Sequence, residues 1–131
     1  MLLMGMPLDR FIREANSPWH DNRLNWSTDL CSTLGPVIVG LLWVNHFLDA
    51  CRRHDFGYRN FGQKAVDSKR LEVTEARRAF VDKVFRADML KVCAQRSWWQ
   101  RSDCVATALR FYDGVHFMWL GREAFYGPGG F

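Results

Sequence analysis

The residues best suited to chemistry lie at positions 50–60, in the run ACRRHDFGYRN. His54 stands directly before Asp55 and three residues after Cys51. On a helix, Cys51, His54 and Tyr58 share one face because they are three and four residues apart. An imidazole on such a face is either a general base oriented by a partner or a buried, hydrogen-bonded core histidine.

A partner for His54 must come from another element, because Asp55 points about 100° away around its own helix. Asp88 is the candidate, since it interrupts the apolar face of a second predicted helix between Val81 and Val92. A carboxylate in that position must be hydrogen-bonded or neutral. A His54–Asp88 pair would let the imidazole act as a general base on a water molecule, with a buried, hydrogen-bonded core histidine as the alternative.

Two aspartates near two cysteines indicate a metal site with oxygen ligands. A bridge between Cys31 and Cys51 would bring Asp29 within reach of Asp55, which lies one helical turn beyond Cys51. Two carboxylates and a loop carbonyl such as that of Leu30 suit a hard cation, and Ca²⁺ is the expected one outside the cell. The alternative is that both aspartates are solvated surface residues.

The elements that must position these residues are helices, because no segment alternates convincingly between apolar and polar residues. The predicted segments are a short helix over 8–15, a further helical turn over 21–26, long helices over 42–60 and 67–95 with Asp67 or Ser68 as the cap of the second, and a third helix capped by Ser102 or Asp103. The apolar stripe of this third helix is predicted to contain Val105, Leu109, Tyr112, His116 and Trp119. The fold class is therefore all-α.

Length and composition indicate one globular domain. The chain has 131 residues, of which 48% are apolar and 24% charged, and no apolar run reaches the roughly 18 residues of a membrane span. The net charge of +4 suits an anionic membrane or nucleic acid, but it also suits an ordinary basic enzyme. The first six residues, MLLMGM, are too short and not basic enough for a signal peptide, so we expect a removed signal or another export route.

Four cysteines permit three disulfide pairings. They show no CxxC motif and no zinc-ligand spacing, so two disulfides in an oxidising compartment are favoured over four reduced, buried thiols. The pairing with the shortest loops joins Cys31 to Cys51 and Cys93 to Cys104. Each such bridge would stabilise the fold by roughly 2.5–3.5 kcal/mol.

Three segments together resemble one known family. Residues 50–60 closely resemble the active-site helix of the secreted phospholipases A2 of the bacterial and fungal type. Residues 26–31, WSTDLC, look like that family's calcium loop, and residues 88–93, DMLKVC, resemble the stretch that carries its catalytic aspartate. The four cysteines match its pattern, and the resemblance covers roughly 24–104.

The resemblance implies the roles of the site residues. It implies that His54 is the general base and Asp88 its partner. It also implies a calcium ion held by the Asp29 side chain, the Leu30 carbonyl and the Asp55 side chain.

The resemblance also implies the architecture. It implies the disulfides Cys31–Cys51 and Cys93–Cys104 and a small domain built on two long antiparallel helices plus shorter ones. We expect a single domain over 1–131, with a helical N-terminal segment over 1–23, a catalytic core over 24–104, and a C-terminal helix and flexible tail over 105–131.

The function implied is calcium-dependent hydrolysis of the sn-2 ester of glycerophospholipids, which gives a lysophospholipid and a free fatty acid. We expect a secreted monomer that acts at a phospholipid membrane or micelle surface and binds no nucleic acid. The alternative is a secreted, phospholipase-like domain that binds lipid or a partner without catalysis. A nucleic-acid-binding helical domain is a third hypothesis, disfavoured by the His–Asp motif.

Three features of the sequence have more than one interpretation each. Gly57 leaves room for helix packing or for a substrate. The apolar stretch at 34–44, where the family has a polar turn, is core packing, a lipid-binding surface or a pocket wall. Trp98 and Trp99, which lie between two arginines, either anchor at a lipid headgroup layer or pack in the protein. A further set of basic residues is expected to form mostly a solvated helix face: Arg70, Arg77, Arg78, Lys83, Arg86 and Lys91.

Overall fold

The computed structural model describes residues 2–28, 31, 43–62, 73–117 and 119–127, and helices dominate them. Within these ranges there is no β-strand, so the predicted all-α class is confirmed. None of the helices in these ranges is long and apolar enough to cross a membrane. The helices are α1 (Leu2–Gly5), α2 (Leu8–Asn16), α3 (Leu48–Phe61), α4 (Glu75–Ala94), α5 (Trp98–Phe117) and α6 (Trp119–Tyr126), with a 3₁₀ turn over Val44–His46 before α3.

The helix starts differ from those predicted. Helix α3 begins at Leu48 and not at 42, because the 3₁₀ turn takes up the residues before it. Helix α4 begins at Glu75, where the Thr74 side chain accepts a hydrogen bond from the Arg77 amide at 3.2 Å and caps the first turn. The predicted caps, Asp67 and Ser68, lie outside the described residues. The segment 21–26 forms a turn and not a helix.

Helix α5 begins at Trp98, so the predicted caps Ser102 and Asp103 lie inside it. Asp103 instead accepts a hydrogen bond from the Trp43 indole at 2.8 Å. The predicted apolar stripe was also wrong, because Leu109 is exposed and Trp119 belongs to α6. The buried face of α5 consists of Cys104, Thr107, Ala108, Phe111, Gly114 and Val115.

Helices α3 and α4 run antiparallel, since Arg53 meets Asp88 while Gly57, further along α3, meets Val81, earlier in α4. A Cβ atom on Gly57 would lie 2.5 Å from the Val81 Cγ1 atom. Gly57 therefore allows the two helices to approach closely. Of its two interpretations, helix packing is the one that the structure supports.

Two disulfides join these helices to their neighbours. The Cys31–Cys51 bridge joins residue 31 to the first turns of α3, and the Cys93–Cys104 bridge joins α4 to α5. The predicted pairing is confirmed. Both bridges belong to one apolar cluster that also holds Phe47, Phe85, Met89 and Phe111. A second cluster packs α2 and α6 against the other end of α3 and contains Phe11, Phe56, Phe61 and Phe125.

Candidate active site

His54 lies on the face of α3 that meets α4 and is buried. Its Nε2 atom is 2.8 Å from the Asp82 Oδ1 atom, and its ring packs against the rings of Tyr58 and Phe85 at centroid distances of 4.1 and 4.6 Å. Because an ionised carboxylate can only accept, we assign the proton to Nε2, which leaves a lone pair on Nδ1. Within the described part of the chain, no hydrogen bond occupies Nδ1.

Asp82 is fully buried and receives four hydrogen-bond donors. Its Oδ1 atom accepts from His54 and from the Tyr58 hydroxyl at 2.6 Å, and its Oδ2 atom accepts from His116 Nδ1 at 2.9 Å and Arg78 Nη1 at 3.3 Å. Burial alone would raise the pKa of Asp82, but the hydrogen bonds from His54, Tyr58 and His116 outweigh it and hold the pKa below the ordinary aspartate value. The Asp82 side chain is therefore a buried anion at neutral pH.

Tyr58 remains a hydrogen-bond donor in this cluster. Burial and the neighbouring Asp82 charge raise the pKa of Tyr58 well above that of an ordinary tyrosine. Its phenol therefore stays protonated and fixes one side of the Asp82 carboxylate.

Asp88 does not reach His54, so the predicted His54–Asp88 pair is not formed. Both Asp88 oxygens instead bind the buried Arg53, with Nε–Oδ2 at 2.9 Å and Nη2–Oδ1 at 2.5 Å. The reason is helix geometry. Six residues place Asp88 about 9 Å further along α4 than Asp82 and on a different face. The face that Asp88 occupies meets Arg53, one residue before His54 on α3.

The Arg53–Asp88 pair has a role of its own. Arg53 also donates to the Leu3 carbonyl at 3.2 Å and to the Met6 carbonyl, so it joins the N-terminal residues to α3 and α4. Burial raises the pKa of Asp88 against the lowering effect of the Arg53 guanidinium. The geometry therefore gives Asp88 a structural position beside the site.

The sequence contained a signal for Asp82 that was missed. Arg78, Val81, Asp82 and Phe85 follow the i, i+3, i+4, i+7 spacing of a single helix face, and all four are buried. Asp88 also interrupts an apolar face of this helix, so the apolar pattern by itself led to Asp88 and not to Asp82.

Arg78 was predicted to belong to a solvated basic helix face. That prediction is wrong for Arg78, because it is 1% exposed. It donates to Asp82, to the carbonyls of Val115 and His116 at 3.0 and 2.9 Å, and to Glu75 at 2.6 Å. Burial of such a charge is tolerated because these acceptors surround the guanidinium.

Of the three predicted calcium ligands, the structure describes only Asp55. Its carboxylate is buried on α3, and its Oδ2 atom accepts a hydrogen bond from the Thr28 hydroxyl at 2.6 Å. Asp29 and Leu30 lie outside the described residues. The chain on either side of them is attached to α3, through Thr28 at Asp55 and through Cys31 at Cys51.

The buried Asp55 carboxylate, beside the attached chain at Thr28 and Cys31, fits a cation that is bound by oxygen ligands. Asp55 does not complete a site by itself. Among the residues that the structure describes, no group of three or more His, Cys, Asp or Glu side chains is arranged to hold a metal ion.

Comparisons of this sequence with known proteins agree on one family. The sequence model described as prokaryotic phospholipase A2 matches residues 1–119. A protein named "Secretory phospholipase A2" from Arthroderma benhamiae is 36% identical over 92 residues, which cover 67% of this chain and 55% of that protein. Another of the same name from Beauveria bassiana is 32% identical over 115 residues, which cover 86% of this chain and 53% of that protein. The chain thus spans about half the length of these curated relatives.

Proposed function

Because the chain belongs to the prokaryotic phospholipase A2 family, we propose that it hydrolyses the sn-2 ester of glycerophospholipids to a lysophospholipid and a free fatty acid. The observation that carries this proposal is the buried His54–Asp82 pair, in which one imidazole nitrogen binds a carboxylate at 2.8 Å. That arrangement is what a general base needs, because the carboxylate fixes the tautomer and stabilises the imidazolium. We assign the orienting role to Asp82 in place of Asp88.

In the proposed reaction, His54 Nδ1 accepts a proton from a water molecule while the water oxygen attacks the sn-2 carbonyl carbon. Asp82 keeps the proton on Nε2 and offsets the positive charge that the ring acquires. When the ester C–O bond breaks, the proton on Nδ1 passes to the departing glycerol oxygen, which becomes the lysophospholipid hydroxyl. No serine nucleophile is required for these steps, and the sequence has no Gly-x-Ser-x-Gly motif.

We further propose that Ca²⁺ binds beside His54, held by the side chains of Asp29 and Asp55 and by the Leu30 carbonyl. Bound there, calcium would polarise the ester carbonyl and stabilise the oxyanion. The support is the buried Asp55 carboxylate and the attachment of Thr28 and Cys31 to α3 on either side of residues 29–30. With two carboxylate ligands, the dissociation constant should be on the order of 10⁻⁴–10⁻³ M.

The protein is proposed to be secreted and to act at a phospholipid membrane or micelle surface. Two disulfides favour an oxidising compartment, and both fungal relatives are named as secretory. The monomeric state and the absence of nucleic-acid binding stay predictions. A lipid-binding domain without catalysis would be expected to lack His54 or Asp55, and this chain has both.

The proposal is tested by fatty-acid release from phosphatidylcholine vesicles, with added calcium and with excess EDTA. We expect turnover with calcium, strong loss with EDTA, and strong loss in His54→Gln at either condition. Asp55→Asn should need much more calcium, because it loses a charged ligand. An absence of fatty-acid release by the wild-type protein would refute the hydrolase, whereas undiminished turnover in EDTA would refute only the calcium site.

A further inference from the structure

We propose that His116 is a positioning residue for this reaction and holds Asp82 in the orientation that binds His54. The inference rests on the proposed function, because it assigns His116 a part in the same reaction. The observation behind it is that one buried carboxylate binds two imidazoles, one through each oxygen: His54 at Oδ1 and His116 at Oδ2.

The Asp82 carboxylate needs a partner on its second oxygen. Rotation about the bond that carries the carboxylate is soft and roughly two-fold, so binding at one oxygen alone fixes its orientation poorly. His116 supplies the shorter of the two bonds to Oδ2, at 2.9 Å, whereas Arg78 Nη1 lies at 3.3 Å. The same Arg78 nitrogen is also engaged by the Val115 carbonyl at 3.0 Å. His116 is therefore the better-placed donor to this oxygen.

His116 is itself held in place near the end of α5. Its ring stacks on Tyr112 with a centroid distance of 5.2 Å and an interplanar angle of 14°, and the Phe117 ring packs on it edgewise at 4.7 Å. Its backbone carbonyl accepts from Arg78 Nη2 at 2.9 Å. Ring, main chain and carboxylate contacts together define one orientation, in which Nδ1 carries the hydrogen that Asp82 accepts.

The arrangement also links the site to α5. His54 and Asp82 come from α3 and α4, and these two helices would suffice for a His–Asp pair. His116 adds a third helix, so the geometry of the general base depends on how α5 packs against α4.

Two substitutions of His116 distinguish loss of the hydrogen bond to Asp82 from loss of the aromatic ring. His116→Phe keeps an aromatic ring that can stack on Tyr112, but it removes the donor to Asp82. His116→Asn loses the ring and places an amide N–H₂ close to where Nδ1 lies, so it is the rescuing variant. We expect His116→Phe to lower kcat by roughly 10- to 100-fold, as for residues that orient metal ligands through a hydrogen bond, with KM unchanged. His116→Asn should recover most of that loss.

The readout besides activity is ¹⁵N NMR of the imidazoles at mildly alkaline pH. In the wild-type protein His116 should be the Nδ1–H tautomer and His54 the Nε2–H tautomer, and His54 should become a tautomer mixture in His116→Phe but not in His116→Asn. Wild-type His116 in the Nε2–H form overturns the proposal without any variant having to fold. Wild-type kcat and an unchanged His54 spectrum in His116→Phe also overturn it.

The two proposals fail separately. If the wild-type protein releases no fatty acid, the hydrolase fails, and the NMR comparison alone decides whether His116 positions Asp82. If the wild-type protein is active and both variants lose activity equally with no change in the His54 tautomer, His116 is merely structural and the positioning role is refuted.

Discussion

Asp82 and Asp88 lie on the same helix, and both are buried as acceptors of charged or polarised donors, yet their partners differ. Asp82 receives two imidazoles, a phenol and a guanidinium, whereas Asp88 receives one guanidinium through both oxygens. Burying an ionised carboxylate is costly unless donors surround it. The identity of those donors separates the two roles: imidazole contact suits proton transfer, and a bidentate arginine suits structure.

Asp82→Asn should remove most of the activity while the protein stays folded. The amide nitrogen can donate to His54 Nε2 and so favour the tautomer that has no lone pair on Nδ1. The equivalent change in serine proteases lowers the rate by about 10⁴. We expect a smaller loss in kcat here, because a bound cation would supply part of the oxyanion stabilisation. Vesicle hydrolysis beside circular dichroism measures both properties, and wild-type kcat in this variant would refute the dyad.

Asp88→Asn should reduce stability more than catalysis. It leaves the buried Arg53 without a charged partner, and breaking a buried pair from one side costs about 3–5 kcal/mol. Urea denaturation measures this loss, and kcat per folded molecule should remain near the wild-type value. As the matched control, Arg53→Met combined with Asp88→Leu removes both charges and should recover much of the stability. If Asp88→Asn lost kcat at full stability, Asp88 and not Asp82 would be the partner of His54 in catalysis.

At this scale the sequence predicted part of the site. The spacing around His54 correctly placed a histidine on a buried helix face, and the direction of Asp55 required a partner from another element. It could not choose between Asp82 and Asp88, because both lie in the buried half of α4 and the choice depends on the offset between α3 and α4. That offset is a tertiary property, set by packing such as the contact of Gly57 with Val81.

At the scale of elements, the spacing of α3 and α4 determines whether His54 reaches Asp82. The two helices approach closely at Gly57, where a Cβ atom would lie 2.5 Å from Val81 Cγ1 and 3.1 Å from Met4 Cε. Methionine can move aside, but a β-branched valine on a buried helix cannot do so easily.

Gly57→Ala should therefore destabilise the protein, although alanine favours a helix over glycine by about 1 kcal/mol. Overpacking typically costs about 1–3 kcal/mol, so we expect a net loss in the free energy of unfolding together with a lower kcat. Adding Val81→Ala removes the clashing methyl groups. The double variant should be more stable than the sum of the two single changes predicts. Simple additivity in thermal unfolding would show that this contact does not set the spacing.

Helices α2 to α5 were predictable from periodicity, whereas α1, the separate α6 and the helix ends were not. The cap of α4 is Thr74, and the sequence offers several other polar residues before it that could cap a helix equally well. The start of α5 depends on the short connection after Cys93, and the bond from Trp43 to Asp103 joins residues far apart in the chain. Neither depends on local preference alone.

At the scale of the whole molecule, Glu75 joins the first turn of α4 to the C-terminal helix. It accepts from Arg78 at 2.6 Å and from the Tyr126 hydroxyl at 2.6 Å, and hydrogen bonding by Arg78 is the main reason that the pKa of Glu75 falls to about 2. Because the pKa of Glu75 is lower in the folded state, its ionisation stabilises the fold at pH values above the pKa of the unfolded chain, which is about 4.3 for glutamate. This stabilisation is lost as the pH falls towards 2.

Glu75→Gln should accordingly be less stable than the wild type at neutral pH, by a difference that shrinks below about pH 4.3. The effect should be modest, because half of the Glu75 side chain is exposed to screening solvent. Urea denaturation between neutral and acid pH measures it. Tyr126→Phe keeps the Glu75 charge and the Arg78 contact, so it should retain the acid dependence of the wild type. A constant difference between wild type and Glu75→Gln across this range would contradict the pKa shift.

The start of α5 is the strongest surface candidate for membrane contact. Trp98 and Trp99 are 78% and 66% exposed, so the alternative of packing inside the protein is wrong for both. Arg96 and Arg101 flank them in the sequence, and the Cys93–Cys104 bridge holds this corner between α4 and α5. Indole rings prefer the headgroup layer, and neighbouring arginines add attraction to anionic lipid.

Replacing both Trp98 and Trp99 by alanine should weaken binding to anionic vesicles by about tenfold or more, since each ring contributes on the order of 1 kcal/mol when partly removed from water. Hydrolysis of a short-chain, monomeric phospholipid should be unchanged, because neither ring contacts His54 or Asp82. Trp19 is the matched control: it is 88% exposed, but it lies in the turn after α2, so Trp19→Ala should leave vesicle binding intact. Equal weakening by both sets of substitutions would mean that exposed indoles bind lipid non-specifically. Unchanged binding in the double variant would place the membrane-contacting surface elsewhere on the protein.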